Sequence, residues 1–191
     1  MTRPFRPGIP SLLATVVLFA APTVGLGAPT ARLRPGAVEI GFAGALASVE
    51  GVTHATLALR GGGFRGAWSG LTGFEAELGY NHQRALDTVD LAGSVSWQRA
   101  VGANPIYPFA SIGGGLRQER LGSFSQARYP VGFGLGLRAL FGERAAVRIE
   151  YRCRRVLNDP VADFTEHQAL TGISLLFRNA ERPERGERKG P

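Results

Sequence analysis

Three histidines, one cysteine and a scatter of carboxylates are the residues of this 191-residue chain with the chemistry for a reactive site. His54, His82 and His167 lie far apart, and neither they nor the acids show a metal-ligand spacing such as H-x-x-x-H. A Ser–His–acid triad depends on geometry rather than order, but three scattered histidines are read more simply as interfacial or loop side chains. Glu75 and Glu77 fall on one side of an alternating segment and have the charge to hold a cation; pairing with arginine is more economical. The glycines at 113–115 and at 132, 134 and 136 invite comparison with a phosphate loop. Such a loop needs a helix N-terminus after it and usually a Lys or acidic partner. Here the alternation simply continues, so these are small, closely packed positions. Cys153 stands alone, which excludes an intrachain disulfide and a cysteine-cluster metal site. No catalytic residue, cofactor or metal is expected.

The basic residues are no better as a site. The formal charge is +7, and every basic side chain but Lys189 is an arginine. Arg178, Arg182, Arg185, Arg188 and Lys189 fall in the last 14 residues, mixed with Glu181, Glu184 and Glu187. No basic stripe interleaved with aromatics appears, so nucleic acid is not an expected partner. Glycine, at 27 residues, is about twice its usual share, but without the three-residue period of collagen. A hydrophobic fraction of 44% is too high for a disordered chain.

The elements that must carry these residues begin after residue 27. Arg3 and Arg6 precede a largely apolar stretch, Ile9 to Ala21, followed by Pro22 and small residues. The stretch is shorter than the roughly 20 residues of a spanning helix and has the form of a secretory signal. Gly25 and Gly27 occupy the −3 and −1 positions of a cut after Gly27. Residues 1–27 are therefore read as a signal peptide and 28–36 as an N-terminal segment. Residues 37–177 are read as one barrel, and 178–191 as a disordered polar tail.

From there the apolar period is two. Segment 129–141 puts Tyr129, Val131, Phe133, Leu135, Leu137, Ala139 and Phe141 on one face, against Pro130, Gly132, Gly134, Gly136, Arg138 and Leu140. No helix gives seven successive apolar residues at that spacing. Segments 37–48, 74–81, 88–98, 145–154 and 166–177 alternate likewise, and 52–63 and 107–119 do so more weakly because of their glycines. Short turn-rich connections join all eight, which predicts an all-β, eight-stranded antiparallel up-and-down barrel.

The polar face decides which way the barrel points. It carries Glu39, Glu75, Glu77, Asp90, Glu119, Glu150 and Glu166 against Arg60, Arg117, Arg138, Arg148, Arg152 and Arg154, among Gly, Ala and Ser. Small residues with nearly balanced charge suit a narrow interior of ion pairs, whereas a water-facing surface would carry lysine. Aromatics gather toward the ends of the apolar stripes: Tyr80, Trp97, Tyr129, Phe141, Tyr151 and Phe177. Membrane barrels place aromatic girdles at both interfaces, so the barrel is read as transmembrane. The alternative is a secreted lipocalin-like ligand-binding barrel with its apolar face inward. Its support is the Gly66-Ala67-Trp68 triplet, which lies between the second and third strands rather than at the first.

The signal segment, the eight alternating strands, YPFASIGGGL (107–116), VGFGLGLRALF (131–141) and a last strand ending in Phe177 resemble the OmpA/OmpX-type outer-membrane β-barrel superfamily. The resemblance implies residence in the Gram-negative outer membrane with both termini in the periplasm. It also implies insertion by the barrel-insertion machinery and a structural or surface-interaction role without catalysis. Any surface ligand would meet the outer loops, around 48–52, 81–88, 120–128 and 156–165. Such barrels often end at the C-terminal aromatic, whereas here 14 polar residues follow Phe177. Lipid-A-deacylating barrels of this size carry a His-x-Ser-Asn signature. The residues two after each histidine here are Thr56, Arg84 and Ala169, so the motif is absent and a lipid-modifying enzyme remains the alternative.

Overall fold

A computed structural model describes residues 32–49, 52–67, 69–83, 86–101, 104–158 and 163–178. The expected signal peptide, and the tail beyond Arg178, lie outside the described residues. Eight strands follow one another: β1 (Val38–Val49), β2 (Val52–Ala67), β3 (Gly70–Gln83), β4 (Leu86–Gln98), β5 (Ile106–Leu121), β6 (Phe124–Phe141), β7 (Ala145–Leu157) and β8 (Phe164–Phe177). Each pairs antiparallel with its neighbours in sequence, and β8 closes on β1. Closure removes every free strand edge. No helix among the described residues is long and apolar enough to cross a membrane.

The register fixes the shape. Starting at Val38, the ladder partners run Gly63, Phe74, Val95, Ile112, Phe133, Cys153 and His167, and return to β1 at Ser48. The stagger on closing is therefore ten residues. With a rise of about 3.4 Å per residue and a strand spacing of about 4.8 Å, eight strands at that stagger tilt by about 41° around a cylinder of about 8 Å radius. So narrow a lumen is filled by side chains. At this tilt thirteen residues rise about 33 Å along the axis, more than the roughly 25 Å of an apolar membrane band.

Burial alternates along every strand, and the core lies inside the cylinder. The outward face is apolar: Ile112 is 69% exposed, Ile173 66%, and Phe42, Phe74, Leu78 and Leu135 are exposed with them. A soluble barrel would bury these residues, so the lipocalin orientation is overturned.

The strands run further than their alternation marks. Residues 120–128, read as a loop, form a tight hairpin in which Leu121 pairs with Phe124 and only Gly122 and Ser123 turn. Gly122 has φ +59°, a conformation that glycine adopts without strain. Likewise β3 begins at Gly70 and β7 continues to Leu157, because each further residue satisfies its backbone groups on a neighbouring strand.

Candidate functional site: the lumen and its two mouths

The chain enters and leaves at one end of the cylinder, called here the terminal end. The β1–β2, β3–β4, β5–β6 and β7–β8 connections lie at the other, the hairpin end. Strand parity turns the polar face inward, where the charged side chains sort into groups stacked along the axis.

The group nearer the terminal end is one continuous lattice of four acids and four arginines. Arg138 Nη2 donates to Glu39 at 2.8 Å and to Glu75 at 3.1 Å. Arg148 Nη1 reaches Glu75 Oε1 at 2.6 Å, and its Nη2 lies 3.0 Å from Glu150 Oε2. Arg152 donates through Nε to Glu150 at 2.9 Å and grips both oxygens of Glu77 at 3.0 Å. Arg60 Nε donates to Glu77 at 2.6 Å, with Nη1 3.5 Å from Glu150. Arg138 also bonds Gln98.

The second group lies toward the hairpin end and is also neutral. Arg117 grips Asp90 at 2.7 and 3.0 Å and donates to Glu166 at 2.9 Å. Arg154 donates to the same Glu166 oxygen at 3.1 Å and stands 3.6 Å from Asp90. Glu166, with no exposed surface, also takes Gln168 at 3.0 Å and has His54 Nε2 at 3.3 Å. His54 thus faces the lumen, the side on which the alternation of 52–63 puts it together with Thr56, Ala58 and Arg60, and is not an interfacial or loop side chain. Beyond it, Arg128 donates to Glu119 at 3.1 Å. Arg128 escaped the sequence reading because it fell in the stretch read as a loop. Counting inward from Pro130 by twos would have placed it. Seven acids and seven arginines therefore face the lumen among the described residues.

The ends of the cylinder differ. At the terminal end Leu33, Phe64, Leu71, Tyr107, Leu140 and Leu176 form a buried apolar cluster, and the Leu33 amide donates to Tyr107 Oη at 2.8 Å. The Arg138 guanidinium stacks over Phe64, and that of Arg148 stands 4.2 Å over Phe109. This plug, including the N-terminal segment that folds across it, was not foreseen. The hairpin end opens into a vestibule of about 250 Å³ lined by His54, Asn81, Asp90, Arg117, Glu119, Arg128 and Phe164. Between vestibule and lattice lies a void of only about 40 Å³, among Ala92, Gly113 and Gly132.

The outward aromatics are also placed. Trp97, Phe141 and Phe177 stand near the terminal end, and Tyr80 and Tyr129 near the hairpin end, all exposed. Tyr151 instead lies at the middle of β7, because that strand runs on to Leu157. Its hydroxyl bonds His167 Nδ1 at 2.6 Å, and His167 pairs across the ladders with Ser48 and Cys153. Among the described residues the adjacent acid, Glu166, points away from this outward group and into the lumen. Beside Tyr80 at the hairpin end, Asp87 accepts bonds from His82 at 2.7 Å and from Tyr80 at 2.9 Å. These bonds, His82's first, hold its carboxyl below the usual aspartate range.

No family model matches the sequence, and no curated protein matches it. Among solved structures, the chain is similar to Neisserial surface protein A (TM-score 0.54, 13% identity, 74% of this chain and 96% of that one). It is also similar to the N-terminal β-barrel domain of Pseudomonas aeruginosa OprF (TM-score 0.57, 15% identity, 75% of this chain and 98% of that one). With strands that close at eight, an apolar exterior and a charged lumen, the chain shares the eight-stranded β-barrel fold of these outer-membrane proteins.

Proposed function

We propose that the chain is a small integral outer-membrane protein with a structural or surface-interaction role and no catalysis. On this reading the barrel-insertion machinery places it with the terminal end in the periplasm and the hairpin end toward the cell exterior. The observation that carries it is the lumen itself. A neutral arginine–carboxylate lattice backed by the Phe64–Leu140 plug occupies the space that a channel or a deep substrate pocket would need. Eight strands leave room for side chains, and open aqueous channels appear at 16–18. Recognition then belongs to the hairpin end, where the lumen opens into the polar vestibule. The test has two arms. Unheated samples from the outer-membrane fraction should migrate as a compact species on SDS gels, and the refolded chain should show no steady conductance in planar bilayers. Recovery in the soluble fraction, or a sustained open state, would refute the reading.

The alternative, a lipid-modifying enzyme, has one feature behind it: Ser48, Tyr151 and His167 gather on the lipid-facing surface. Among the described residues no carboxylate is bonded to His167 to complete a hydrolytic triad. Unchanged lipid A masses on overproduction would remove this alternative, and a lost acyl chain that depends on His167 would establish it.

A further inference from the structure

The charge outside the lumen is distributed very unevenly. At the hairpin end Arg120 and Arg155 are matched by Asp87 and Asp163 among the described residues. At the terminal end Arg32, Arg65, Arg99, Arg144 and Arg178 are all exposed, with Arg34 beside them and Glu143 the one described acid. Since the lumen is neutral, the terminal rim carries the whole positive excess of the described chain. Its position relative to the apolar band is fixed by register. Arg99 follows Trp97 by two residues on the same outward face of the β4 end, Arg178 directly follows Phe177, and Arg144 lies in the turn after Phe141. Arg65 faces outward on β2, where Phe64, its neighbour, belongs to the plug.

We propose that this arginine ring is a docking surface for the phosphodiester headgroups of anionic glycerophospholipids. Side chains one to three residues beyond the aromatic band stand at headgroup depth, where aromatic belts mark the interface. Every cation in the ring is arginine, whose planar fork matches two phosphate oxygens at once. The chemistry is that of a lipid surface rather than of a nucleic acid, because the cations encircle a membrane-embedded cylinder. The ring gives the barrel a preferred lipid neighbourhood and fixes its height in the bilayer. That the lipids are those of the periplasmic leaflet rests on the orientation proposed above; the headgroup preference itself does not.

The experiment reads that preference directly. The full chain is folded into phosphatidylcholine vesicles containing brominated phosphatidylglycerol or, separately, brominated phosphatidylcholine, and quenching of tryptophan emission is measured. Trp97 stands two residues from Arg99. Each basic residue near an anionic surface is worth about a fivefold change in association, so a preference of about tenfold or more for phosphatidylglycerol is expected. It should fall toward unity as salt rises from about 0.05 to about 0.5 M. The fourfold variant Arg65→Gln, Arg99→Gln, Arg144→Gln, Arg178→Gln should lose it, and Arg120→Gln with Arg155→Gln should retain it. The salt series on the unmodified chain decides the matter even if the fourfold variant does not fold. Equal quenching by both lipids, or a preference that follows Arg120 and Arg155 instead, would overturn the proposal. Orientation is scored separately, by labelling a Ser123→Cys hairpin tip in intact cells in a Cys153→Ser background. A failure there moves the leaflet and leaves the ring.

Discussion

Replacing Glu150 by leucine tests the lumen lattice at its most connected point. The residue is 2% exposed, and its carboxylate faces three guanidinium groups: Arg152 at 2.9 Å, Arg148 at 3.0 Å and Arg60 at 3.5 Å. Its loss leaves four arginines with three acids. Arg148 keeps Glu75 and Arg152 keeps Glu77, so the surplus charge falls mainly on Arg60, which must share Glu77. Breaking a buried pair from one side costs about 3–5 kcal/mol. The sharing sets the expectation at the lower end, about 3 kcal/mol. A second change, Arg60→Leu, restores three against three, with Arg138 on Glu39, Arg148 on Glu75 and Arg152 on Glu77. The double variant should therefore cost less than the two single variants together, by about 1–3 kcal/mol. Urea unfolding in lipid vesicles, followed by tryptophan emission and by loss of compact gel migration, measures all four corners of the cycle. A cost for Glu150→Leu below about 1 kcal/mol, or strict additivity of the pair, would refute the lattice as a charge-balanced unit.

Three further outcomes follow from the outer face, the backbone spacing and the hairpin end. Leu135→Arg or Ile149→Arg, both outward and near mid-height by register, should each destabilise the barrel by about 2–4 kcal/mol in vesicles. The same change at Phe177 should cost about 0–1 kcal/mol, and equal costs at both depths would count against lipid contact. Gly132→Ala places a Cβ 2.1 Å from the Cys153 carbonyl oxygen and should cost about 1–3 kcal/mol. Gly44→Ala, which meets nothing within 4 Å, should be neutral or slightly stabilising; a similar loss at both sites would show that backbone approach is not the cause. Asp87 should titrate below an ordinary aspartate in NMR, and His82→Ala should return it toward the usual range. Because its folded pKa is lowered, what it contributes to hairpin order is present at neutral pH and fades as pH falls through the carboxyl's own titration. An unmoved Asp87 in the variant would mean that His82 is not its partner.

The sequence made the faces legible and left the partners unread. A period of two tells which residues share a side, and the side of Arg138 or Glu150 follows from its parity with Leu140 or Arg148. Parity says nothing of height, and height decides which charges meet. Glu39 bonds an arginine 99 residues away because the ten-residue stagger brings β6 to its level. Strand ends are misread where turn-forming residues sit inside paired backbone, as at Ser125 and Gln126, and that error conceals Arg128. The Leu33 plug was illegible for another reason. A single apolar residue in a non-repeating segment has no period, and its burial depends on the gap that Tyr107 and Phe64 leave.

Why the lumen uses arginine follows from the geometry of an eight-stranded ring. The lattice ties neighbouring strands, as Arg60 of β2 does to Glu77 of β3, but neighbours are already joined by the backbone; what it adds is ties between opposite walls. In an eight-strand closure β3 lies across the diameter from β7, and Glu75 and Glu77 on β3 bind Arg148 and Arg152 on β7. The second group also reaches across the lumen, three strands apart, with Arg117 of β5 bound to Glu166 of β8 and Arg154 of β7 close to Asp90 of β4. A brace across the lumen needs a long side chain that can bond two carboxylates at once. Arginine's five donors in a fixed fork do this, and lysine's single compact ammonium does not hold two acids in defined geometry. The cost is space, and inward Ala43, Ala58, Gly113, Gly132 and Gly134 leave it free. A glycine-rich, lysine-free barrel is therefore one design: small residues clear the bore so that arginines can span it. Enlarging the inward glycines should weaken the braces without touching a charge, which separates this account from one in which the charges matter only by their balance.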